Sequence, residues 1–156
     1  MPNSSARPWP VLGWVILAAG AFDLVYASTF WWIKADVMPM RIGQSIAAGL
    51  LGSEASRAGG WPTSLLGVAL HFFIISVMVA TYYFVAKRVA VLWEKWAMYG
   101  LLYGIVLFVV MSYVVVPLSA VGGSGPKEMS LWVGLSIFVH MLIGAACAWA
   151  AKKALR

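Results

Sequence analysis

Charge is scarce in this chain, with eleven Lys and Arg and five Asp and Glu among 156 residues. A soluble domain carries about a quarter of its residues as charged side chains, so an ordinary water-facing surface is excluded. Apolar residues instead make up 63% of the chain, and mean hydropathy is +0.89. Lipid is then the medium against which the fold buries its surface. The length allows a single transmembrane domain over residues 1–156.

Other absences narrow the chemistry. A single cysteine, Cys147, rules out an intrachain disulfide and any CxxC site, and its apolar surroundings mark it as a small buried hydrophobe. There is no GxSxG, HExxH or CxxCH. The glycines of GGSGP (122–126) follow no strand and precede no GKS, so they form a turn and not a phosphate loop. A non-enzymatic role is expected. The basic residues lie between and beside the apolar runs and form no groove-lining patch, which argues against nucleic acid and for lipid headgroups as their partners.

What is present is four long apolar runs. A spanning helix needs about 20 mostly apolar residues, and residues 11–33, 62–86, 96–119 and 130–151 qualify. The first run is too long for a secretory signal core and is interrupted by Asp23, so it reads as a true span. Aromatic residues such as Trp9, Trp32, Trp61, Tyr82, Tyr83 and Trp96 stand near the ends, where an amphipathic ring sits at headgroup depth. The expected fold is an all-α integral membrane four-helix bundle.

Between the first two runs, RIGQSIAAGLLG places Ile42, Ile46 and Leu50 at four-residue spacing before Gly52. This predicts a short helix over about 40–51, amphipathic and lying on the membrane or re-entrant. The following SEASRAGG reads as a turn. Lys and Arg number seven on the side of the termini (Arg7, Lys87, Arg88, Lys95, Lys152, Lys153, Arg156) and four on the other (Lys34, Arg41, Arg57, Lys127). That bias places both termini in the cytoplasm.

Three ionisable residues share one depth. Asp23, His71 and His140 lie nine or ten residues from the near ends of their spans, or about 14–15 Å at 1.5 Å per residue. Small residues accompany them at helical spacing: Gly20 with Asp23, Ser64 and Gly67 with His71, Ser136 and Gly144 with His140. Gly100 and Gly104 form a GxxxG in the third span. Such stripes are expected to face neighbouring helices, turning the ionisable groups inward.

This centre supports several readings. It is a structural knot, or a proton or small-solute pathway in which Asp23, His71 and His140 form the mid-membrane station. In the pathway reading Gln44 and Ser45 form the entrance, and Arg41 reaches toward Asp23 if the short helix is re-entrant. A conduit in so small a bundle would call for a homo-oligomer. Alternatively, His71 and His140 ligate haem b, or with Asp23 a divalent metal. A further reading is an accessory subunit of a larger membrane complex.

The stretches PMRIGQSIAAGLLG (39–52), LGVALHFFI (66–74), YGLLYGIVLFVVMSYVVVPLSA (99–120) and VHMLIGA (139–145) together resemble a family of small, uncharacterised bacterial inner-membrane proteins. The resemblance covers most of the chain from about Gly20 and takes in Asp23, Arg41, Gln44, His71 and His140. It implies a bacterial inner-membrane location and a four-helix membrane fold, and it carries no activity.

Overall fold

A computed structural model describes residues 8–156; Arg7, counted in the orientation argument, lies outside the described residues. The chain is all-α, with no strand among the described residues. Helix α1 runs over Trp9–Ala35, α2 over Pro39–Leu51, α3 over Ser53–Ala58 and α4 over Gly60–Ala86. Then come α5 (Val91–Glu94), α6 (Trp96–Val110), a π-helical turn (Met111–Val115), α7 (Val116–Leu118) and α8 (Leu131–Leu155).

Four helices are long and apolar enough to cross a membrane: Trp9–Ala35, Gly60–Ala86, Trp96–Leu118 and Leu131–Leu155. The shortest has 23 residues, about 35 Å at 1.5 Å per residue, which exceeds a hydrocarbon layer of ~30 Å. Only 17% of the apolar window of the third span is buried inside the protein. The rest is apolar surface that water would not tolerate, so the four-helix integral membrane fold follows.

Contacts group the chain into two units. The first holds the residues up to Ala19, Ile75–Val109 and Glu128–Arg156. Here α6 meets α8 through glycine: a Cβ on Gly104 would collide with the His140 carbonyl and the Met141 Cα, and one on Gly144 with the Gly100 carbonyl. Backbone touches backbone, which is what the small-residue stripes anticipated. Cys147 is fully buried, as expected.

Tyr82 and Tyr83 depart from the expected headgroup belt, since both are buried. The Tyr82 hydroxyl donates to the Leu92 carbonyl at 2.8 Å, and its ring meets Tyr103 edge-on at 5.0 Å. The short helix α5, invisible in the hydropathy pattern, supplies that acceptor. Trp9, Trp32 and Trp61 are exposed, as anchors should be.

The second unit holds Gly20–Ile74 and Val110–Lys127. Helix α1 ends where Asp36 takes a left-handed φ of 52°, and the Val37 N–H reaches back to the Trp31 carbonyl at 3.2 Å. Aspartate tolerates that conformation better than most residues, and the six-residue closure satisfies a terminal carbonyl. Gly52, at φ 81°, stops α2. The chain then restarts as α3 and not as a plain turn, with Glu54 in its first turn and Arg57 in its last, both complementing the helix dipole.

The third span widens into its π-turn just before Pro117. Proline has no N–H and its ring crowds the carbonyl four residues earlier, that of Tyr113, so regular α-helical bonding fails there. Beyond the span, the Ala120 N–H donates to the Gly49 carbonyl of α2 at 2.8 Å.

Candidate functional site

The polar groups of the second unit concentrate in two places. One is the junction of α2, α3 and the start of α4. Gly43 and Gly67 make it possible: a Cβ on Gly67 would strike the Gly43 carbonyl, and one on Gly43 would strike Ser64. Glycine at both positions lets α2 lie directly on the first two turns of α4. Ser64 Oγ then donates to the Met40 carbonyl at 3.0 Å.

Gln44, only 2% exposed, is the hub of this junction. Its Oε1 accepts from Arg41 Nη1 at 2.9 Å, and its Nε2 donates to the carbonyls of Gly60 at 3.1 Å and Arg57 at 3.3 Å. Its own carbonyl accepts from buried Ser56 Oγ at 2.6 Å. Thr63 Oγ1 stands 2.6 Å from the Ser56 carbonyl and closes the ring. Among the described residues, no buried side-chain nitrogen or oxygen lacks a partner. A polar cluster this well satisfied is stable at the membrane boundary.

Gln44 and Ser45, the expected entrance, line a half-open cavity of about 670 Å³ together with Arg41. Arg57 and Ser53 complete its polar rim, with Trp31, Val37, Ile42, Ala48 and Val121 as apolar wall. Arg57 was missed as a site residue, because SEASRAGG read as a turn gives no reason to orient it toward α2. Arg41 turns to Gln44, donating to its Oε1. Ser45 Oγ is satisfied locally by the Ile42 carbonyl at 2.7 Å.

The second place lies deeper along the spans. His71, one helical turn beyond Gly67, points at α1: its Nε2 lies 3.1 Å from the Gly20 carbonyl and 3.8 Å from Asp23 Oδ2. A carbonyl can only accept, so the network assigns a proton to Nε2. Gly20 is glycine for a packing reason, since a Cβ there would run into the Phe72 ring. Asp23 is one turn farther along α1 and part-buried.

His140 belongs to the first unit. Its Nδ1 donates to the Ser136 carbonyl at 2.8 Å, and its ring meets Phe108 edge-on at 5.7 Å. The structure thus brings together two of the three ionisable residues, Asp23 and His71. Among the described residues, no group of three or more His, Cys, Asp or Glu could hold a metal ion. The Nε2 atom of His71, a usual ligating atom for haem or metal, is committed to the Gly20 carbonyl. These residues do not fit a 2-His-1-carboxylate centre as they stand.

No known protein family, curated protein or solved structure matches this chain.

Proposed function

We propose that this membrane protein handles protons or a small solute through its second unit, with Asp23 and His71 as the mid-membrane station and the arginine-lined cavity as the vestibule. The observation that carries the reading is an aspartate and a histidine facing each other at 3.8 Å inside two apolar spans. Ionisable groups are costly there, by ~2.5–3.5 kcal/mol even on a lenient insertion scale, and are retained where they serve a pathway.

The chemistry is simple. With Nε2–H committed to the Gly20 carbonyl, a further proton can enter only at Nδ1. The resulting imidazolium is neutralised by the Asp23 carboxylate, so the loaded pair carries no net charge in lipid, while the unloaded pair keeps the carboxylate's single negative charge. We place the protein in a bacterial inner membrane with both termini cytoplasmic, acting without catalysis and as a homo-oligomer.

The test is flux into proteoliposomes carrying an internal pH dye, with the wild type beside Asp23→Asn. Asparagine keeps the shape and removes the charge, so flux should fall to the level of protein-free vesicles. Unchanged flux would defeat the reading. If flux is absent from both proteins while Asp23→Asn melts at a lower temperature, the pair is a helix tie and nothing more. A dithionite-shifted absorption band lost on replacing His71 would instead favour the cofactor reading.

A further inference from the structure

The cavity beside α2 carries more information than a vestibule needs. Its two guanidinium groups come from different helices, Arg41 in the first turn of α2 and Arg57 in the last turn of α3. A single buried amide links them: Gln44 accepts from Arg41 through Oε1 and donates to the Arg57 backbone carbonyl through Nε2. Among the described residues, no carboxylate pairs with either guanidinium. Two exposed cationic residues therefore line one hollow, and this suits an oxyanion offering several acceptor oxygens.

The rest of the lining narrows the ligand. Hydroxyls of Ser45 and Ser53 share the polar rim, while Trp31, Val37, Ile42 and Val121 give an apolar side. A volume of about 670 Å³ exceeds the needs of a bare phosphate ion and falls in the ~300–1,000 Å³ range of small-molecule sites. We propose that this cavity binds the phosphate group of an amphiphile, with Arg41 and Arg57 on the phosphate oxygens and the apolar wall against the adjoining glycerol or acyl carbons. An anionic phospholipid headgroup and a soluble glycerol phosphate share this chemistry. The proposal rests on the vestibule assigned above, and it is tested by binding alone, so it can fail or stand whatever the flux experiment gives.

The full-length protein in zwitterionic detergent is titrated calorimetrically with short-chain phosphatidylglycerol, short-chain phosphatidylcholine and glycerol 3-phosphate. Phosphatidylglycerol should bind saturably, and phosphatidylcholine, whose choline cancels the phosphate charge, about tenfold more weakly. Arg41→Gln with Arg57→Gln should weaken phosphatidylglycerol by about tenfold or more, and added salt should weaken the wild type toward the variant. Because Arg41 is bonded to Gln44, the double variant may only be compared if its melting temperature is unchanged; Arg57→Gln alone, at an exposed side chain, serves otherwise and should cost about threefold or more. Glycerol 3-phosphate binding as tightly as the lipid, and needing both arginines, assigns the source as a soluble phosphate. Equal binding of phosphatidylglycerol to wild type and variants, or no saturable binding of either phosphate, overturns the proposal.

Discussion

Replacing Gly67 by alanine tests the junction of α2 with α4. The added methyl would meet the Gly43 carbonyl oxygen head-on, with the Gly43 carbonyl carbon at 2.7 Å and the Ala47 nitrogen at 3.0 Å. All three are backbone atoms of α2, so no side chain can swing aside. To reach the ~3.5 Å at which carbon contacts become favourable, the whole helix must retreat from α4 by about an ångström or more. Overpacking of this kind costs ~1–3 kcal/mol. The Ser64–Met40 bond at 3.0 Å and the Gln44–Gly60 bond at 3.1 Å span the same contact and would stretch beyond hydrogen-bonding range. Losing them adds ~1 kcal/mol each. Against this stands the better helix propensity of alanine, ~1 kcal/mol. The clash wins, by about 2–4 kcal/mol net, which for a chain of this size lowers the melting temperature by ~4–16 °C. The control is Gly134→Ala, because nothing lies within 4 Å of the Cβ it adds; that variant should melt at or slightly above the wild type. Thermal unfolding of both in one detergent decides the matter. If Gly67→Ala is as stable as Gly134→Ala, α2 does not lie on α4 in the way described.

Two further perturbations probe the same interior. Gln44→Leu keeps the volume and strips every bond of the amide, leaving the Arg41 guanidinium to find another partner; we expect a loss of ~2–4 kcal/mol, read as a lower melting temperature, and a result near zero would mean that the amide is not the tie. Cys147 is fully buried against backbone-to-backbone helix packing, so a thiol-reactive maleimide should label it only after unfolding; rapid labelling of the folded protein would contradict the packing of α8.

How much of this was legible in the residues depends on which physics governs each element. The spans were, because a run such as 62–86 is apolar for as long as a bilayer is thick, and the observed helix begins only two residues earlier. The close crossings were also legible, since Gly100, Gly104 and Gly144 recur at helical spacing and have few uses in lipid other than close approach. Short helices were not. Helix α3, with six residues, and α5, with four, are too brief to show a period, and each is fixed by what it packs on. The pairing of the ionisable groups was half legible. Depth alone put Asp23, His71 and His140 on one level, but the facing partner depends on helix rotation, which hydropathy does not encode. The rotation shows in the Gly20 carbonyl, a backbone acceptor that no side-chain motif could announce.

The two polar places of the second unit share one helix face. Gly67 and His71 are four residues apart on α4, so the surface that seats α2 continues directly into the surface that meets α1. The separation along the helix is about 6 Å. Helix α2, too short to span the membrane, is bound there on its buried face by the Gln44 hub. Its glycines bring it close enough to leave no gap over α4, and its arginine faces the cavity. A change at Gly67 should therefore be felt at both places, in lipid-phosphate binding at the rim and in flux through the Asp23–His71 pair. Changes at the Gly104–Gly144 crossing of the first unit should lower stability while leaving phosphate binding intact.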